Sequence, residues 1–80
     1  MNPELEKKFP ISAEDRVIEE CAELIQALLK AKRFGWYSKH PDRKTCNIED
    51  VRAEMSDVRI SLDRLERKLI QYEVLEGKVC

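Results

Sequence analysis

"VIEECAELIQALLKAKRFGW", residues 17–36, decides how the chain is read. Apolar residues fall at Val17, Cys21, Leu24, Leu28 and Ala31, at intervals of four and three. That spacing keeps one stripe on one side of an α-helix and matches a heptad seam. Ile18, Ile25 and Leu29 widen the stripe beyond what a single partner helix would cover. Three glutamates, Glu19, Glu20 and Glu23, stand inside the same pattern. A short chain that crowds carboxylates beside the surface it must bury needs a reason for doing so.

The boundaries of this helix are written in its flanks. Ser12 is a good N-cap, and Asp15 three residues on can reach back toward it, a variant of the capping box. The helix is expected from about 13 to 34, with Gly35 as its C-terminal stop. Residues 35–46 read as a loop containing Gly, Ser and Pro. Asn47 is expected to cap a second helix over about 48–75, with Glu49 and Asp50 placed favourably against its dipole. Gly77 ends it and a short tail follows. That helix carries Val51, Met55, Val58, Leu62, Leu65, Leu69 and Tyr72, again at intervals of four and three. Residues 1–11 look like a loose arm with two prolines. The expected fold is all-α: one domain spanning 1–80, an antiparallel helical hairpin that assembles by oligomerisation into a four-helix-type bundle.

Composition narrows the function classes. With 80 residues the chain makes one domain at most, at a size where a single core usually needs help from a metal or a partner chain. A net charge of −1 gives no general reason to bind nucleic acid or an anionic membrane. No apolar run approaches the roughly 18 residues that span a bilayer. The opening "MNPELEKKFPIS" lacks an apolar h-region, so no signal peptide is expected. Three cysteines with a single histidine form no zinc set, and reduced thiols in a cytoplasmic protein are the expectation.

The second helix repeats the acidic pattern of the first. Glu54 and Asp57 stand to Val51 as Glu20 and Glu23 stand to Val17, and each second acid is followed four residues later by a small residue, Ala27 or Ser61. Acids at i and i+3 project to the same side of a helix. Across an antiparallel hairpin the two pairs can face one another, where they would repel and raise each other's pKa values unless a cation joined them. Mg²⁺ suits such a set: it takes oxygen ligands and commonly bridges to substrate phosphates. The other reading of the same acids is rim charge pairing with lysines, as at coiled-coil e and g positions. A di-iron bundle is set aside because it requires ExxH pairs and the one histidine, His40, lies in the loop.

"EECAE" at 19–23 and "EMSD" at 54–57 resemble the EExxE and ExxD motifs of the all-α nucleoside triphosphate pyrophosphohydrolases, which include the MazG-like enzymes and the dimeric dUTPases. The resemblance covers roughly residues 12–75. It implies a Mg²⁺-dependent enzyme, with Mn²⁺ as an alternative ion, that cleaves a (deoxy)nucleoside triphosphate to the monophosphate and pyrophosphate. It implies metal ligation by Glu20, Glu23, Glu54 and Asp57, with Glu19 either an outer group behind those ligands or one that helps orient the attacking water. It also implies a homo-oligomer, dimer or tetramer. Arg64 and Lys68 lie near the stripe of Asp57 and Ser61, where they could contact the phosphate tail. In the loop, Trp36 could stack on a base while Lys39 approaches phosphate. Two further classes stay open: a non-catalytic helical interaction or regulatory module, and a relative that binds nucleotide without turning it over.

Overall fold

The computed structural model describes residues 11–39, 41, 42 and 44–77 of the chain. It contains two helices, α1 over Ala13–Phe34 and α2 over Asn47–Glu76, packed against each other as an antiparallel hairpin. The expected N-terminal arm, His40 and the tail beyond Gly77 lie outside the described residues, apart from Ile11.

The caps form as the local chemistry requires, with one change. The Ser12 side chain accepts from the Asp15 backbone N–H at 3.1 Å and opens α1. Gly35 closes it at φ 99° and ψ 152°, a backbone region held almost only by glycine, and its N–H donates to the Ala31 carbonyl. Gly77 ends α2 in the left-handed region at φ 64° and donates to the Glu73 carbonyl. Asn47, expected as the cap of α2, is instead its first helical residue, and Cys46 occupies the cap position without a side-chain cap bond. The Asn47 side chain has a different use. Its Nδ2 donates to the Gly35 carbonyl at 2.9 Å and ties the start of α2 to the end of α1. The first amides of α2 are satisfied by the loop: Asn47 donates to the Ser38 carbonyl at 3.0 Å and Ile48 to the Trp36 carbonyl at 2.8 Å.

The seam between the helices is rotated from the expected one. The buried residues of α1 are Ala13, Glu20 and Ala31, and those of α2 are Asn47, Val51 and Ser61. Leu28, Met55, Leu62 and Leu69, expected in the seam, are exposed by 37, 37, 48 and 48%. The contact line on α1 thus passes through 17, 20, 24, 27 and 31 instead of 17, 21, 24, 28 and 31. At about 100° per residue this is a turn of roughly 40° about the helix axis. Small residues explain it: Ala13, Ala31 and Ser61 let the two backbones approach closely, and bulky side chains are displaced to one side. The result is a single layer 14 Å thick in which, among the described residues, no large side chain is fully buried. Ile18, Ile25 and Leu29 stay more than half exposed. Among the described residues no helix is long and apolar enough to cross a membrane.

Candidate metal centre

The rotation carries Glu20 from the rim into the seam and brings Glu23 and Glu54 to its edge. Glu20 is only 9% exposed although it sits beside Glu23, and Glu54 faces both from α2. One carboxylate oxygen from each of Glu20, Glu23 and Glu54 lies within 4.8 Å of the other two. Arg16 approaches from the preceding turn, with Nη1 3.6 Å from Glu20 Oε1. The second oxygen of Glu20 and the Oε2 of Glu54 are shielded from solvent and have no hydrogen-bond partner. Buried polar atoms are nearly always partnered, so two orphaned anionic oxygens in one cluster are unusual.

The electrostatics follow from the placement. Burial pushes the Glu20 carboxyl above its ordinary value, and the charges of Glu23 and Asp57 add to the effect while Arg16 opposes it. Burial also raises Glu23; a hydrogen bond with Glu20 works against this, and the charge of Glu54 with it. Three carboxyls converge where their shared charge is costly and one cation is too few. An oxygen-lined, anionic pocket of this kind fits a hard divalent cation, which needs several oxygens and tolerates an incomplete protein shell completed by water.

The other anticipated residues divide between the centre and its surroundings. Asp57 stays outside the three-oxygen group and is exposed, but it lines a cleft with Glu20, Ser61 and Arg64, and its charge reaches Glu20. Glu19 is also outside the group, and its charge is felt at Glu23. Arg64 and Lys68 line a space at the open end of the hairpin, where Lys68 is paired with Glu14. Lys39 lines a cleft at the loop end with Lys30, Phe34 and Asn47. The Trp36 carbonyl accepts from Ile48, and its side chain is half exposed at the loop.

Sequence reasoning missed Arg16, Lys30 and Phe34. The signal was present: stepping outward from Glu20 and Glu23 by alternate threes and fours reaches Arg16 in one direction and Ala27, Lys30 and Phe34 in the other. On α2 the same steps connect Asp50, Glu54, Asp57, Ser61, Arg64 and Lys68. These two stripes line a row of polar clefts along one side of the hairpin, a segmented groove. Comparison of the chain with protein-family models, curated proteins and solved structures gives no match. The fold and centre define a helical hairpin with a tri-carboxylate cluster in which Glu20 is buried and Glu23 and Glu54 are partly exposed.

Proposed function

We propose that the chain is a Mg²⁺-dependent nucleotide pyrophosphohydrolase, splitting a (deoxy)nucleoside triphosphate into the monophosphate and pyrophosphate. The observation that carries this reading is the convergence of Glu20, Glu23 and Glu54 with two shielded, unpartnered carboxylate oxygens. These three side chains would hold the ion, with Asp57 at the cleft edge able to join them. When bound, the ion supplies charge neutralisation at the phosphate oxygens and favours deprotonation of water. Mn²⁺ offers similar oxygen chemistry.

Phosphoryl transfer asks mainly for positioning and charge stabilisation. Here the groove walls orient the substrate along the hairpin. In the reaction water adds to the α-phosphorus, the bond from that phosphorus to the α–β bridging oxygen breaks, and pyrophosphate departs with the electron pair. Glu19, whose charge is felt at Glu23, helps orient the attacking water, which passes its proton to solvent. The exposed apolar side chains of both helices suit self-association, to a dimer or tetramer, in which a second copy covers them. Cys21 and Cys46 are free thiols, in keeping with a reducing, cytoplasmic setting.

The test is pyrophosphate release from a panel of ribo- and deoxyribonucleoside triphosphates with and without Mg²⁺. Turnover is expected only with the ion. Glu23→Gln and Asp57→Asn are each expected to lower it by about 10–100-fold or more. Absence of release from every triphosphate would overturn the enzyme reading. If Mg²⁺ still raised thermal stability, a nucleotide-binding, non-hydrolysing protein would take its place. If it did not, the exposed apolar surface would favour an interaction module that docks on another protein.

A further inference from the structure

The groove is not symmetric about the acidic cluster. Toward the open end, a space of about 250 Å³ is bordered by Arg16, Glu20, Asp57, Ser61 and Arg64. Arg64 also borders the adjoining space of about 460 Å³, together with Arg67, Lys68 and the first residues of α1. The linings of these two spaces carry four cationic side chains against two carboxylates, with Glu14 paired to Lys68 and Asp63 paired to Arg67 at their margins. Toward the loop, the space next to the cluster has Glu23, Asp50 and Glu54 against Lys30 alone. Beyond it, the loop-end cleft presents Phe34 and Lys39 beside the Asn47 amide. The N-terminal end of α1, the positive end of its dipole, also faces the open end, since Ser12 and Ala13 line that space.

We infer that the groove is directional: the open end seats the terminal phosphates of the ligand, held by Arg16, Arg64 and Lys68, and Glu14 is a resident carboxylate that occupies Lys68 until phosphate displaces it. The inference rests on the metal reading above and adds to it the orientation of the substrate and its competitor. A guanidinium offers paired N–H donors that match phosphate oxygens. Arg64 suits this role: its side chain lies at the surface and makes a long 3.5 Å approach to the Ile11 carbonyl, which a phosphate oxygen can replace. Lys68 is better held. It pairs with Glu14, 54 residues away in sequence, and stands 5.5 Å from the Tyr72 ring centroid. The Glu14 carboxylate already fills an anion position beside the cations. Its own carboxyl is held below the ordinary value, chiefly by the hydrogen bond from Lys68. A phosphate arriving at Lys68 must compete with it.

The experiment is calorimetric titration of the full chain with Mg²⁺ alone, then with inorganic pyrophosphate, an α,β-methylene nucleoside triphosphate and a nucleoside monophosphate, each in the presence of Mg²⁺. Arg64→Ala is expected to weaken pyrophosphate and the triphosphate analogue by about tenfold each and to spare the monophosphate. Lys68→Gln is expected to act in the same direction. Glu14→Gln is expected to do the opposite, tightening both polyphosphates by about threefold, a result that a merely structural ion pair would not give. Loss of pyrophosphate affinity alone would mean the subsite serves free pyrophosphate and not the nucleotide tail, and would overturn the inference. So would unchanged affinities in Arg64→Ala and Glu14→Gln while Mg²⁺ alone still binds, and in that case the metal reading would stand. Failure of Mg²⁺ to bind the unaltered chain would end both. Circular dichroism of each variant separates lost contacts from lost helix.

Discussion

The side chain that most constrains this molecule is Glu20. It lies in the seam between two helices, a place where apolar residues are expected, with one oxygen toward Arg16 and the other without a partner. Burial raises its pKa and that of Glu23 above the ordinary 4.5. A raised carboxyl pKa means that the folded state prefers the protonated form. The metal-free fold therefore keeps the full contribution of these groups below pH 4.5 and loses it as pH rises through the elevated values. Thermal unfolding in a chelating buffer should show stability falling across that interval. Glu20→Gln should flatten the fall and raise metal-free stability near neutral pH by about 1 kcal/mol. Mg²⁺ should act with the opposite sign, because it requires the ionised form: its stabilising effect grows with pH over the same interval and disappears in Glu20→Gln. A metal-free stability that rises from acid to neutral pH, and an indifference to Mg²⁺, would both contradict this account.

At the scale of the helices, most of what holds the hairpin was legible from local chemistry. Ser12, Gly35 and Gly77 sit at their boundaries because few other residues satisfy an exposed first turn or a positive φ. Gly35 is the more demanding of the two glycines. A Cβ there would meet nothing within 4 Å, so the cost of replacing it lies in the backbone alone. Yet that backbone receives the Asn47 amide and the Ser38 N–H on its carbonyl, which fixes the loop between the helices. Gly35→Ala should therefore destabilise the chain by about 1–3 kcal/mol in urea unfolding, and shift the acidic cluster through the displaced start of α2. Gly77→Ala, at the free end of α2, should cost about 1 kcal/mol. Equal effects at the two sites would mean the loop does not set the hairpin. The rotation of the seam was not legible. The lines 17-20-24-27-31 and 17-21-24-28-31 share Val17, Leu24 and Ala31 and have the same periodicity. Hydrophobicity favours the second. The first is chosen because alanine and serine allow close approach, which is a property of two helices together and not of either alone. The paired acids were visible as i, i+3 spacings; their burial was not, because it follows from that choice.

Taken whole, the hairpin has two unlike sides. The polar groove occupies one, with Glu23 about 60° from Glu20 around α1. Cys21, Leu28, Ile25 and Ile18 turn away on the other side by about 80–160°, and on α2 Met55, Leu62 and Leu69 turn the same way from Glu54 by about 60–100°. These residues produce a nearly continuous apolar back on a layer only 14 Å thick, with too little interior to sustain the fold comfortably alone. A second copy laid against that back would bury it and leave the groove open, so assembly and substrate access do not compete. It would also stiffen the helices that position the cluster. Two consequences can be measured. The unfolding temperature should rise with protein concentration, as mass action requires of a fold stabilised by its own association. Ile25→Glu should reduce the mass seen by light scattering to that of one chain, and lower stability along with Mg²⁺ binding, whereas Arg64→Ala on the groove side should leave the mass unchanged. A chain that is monomeric and equally stable at every concentration would show that two helices suffice, and that the apolar back serves some other partner.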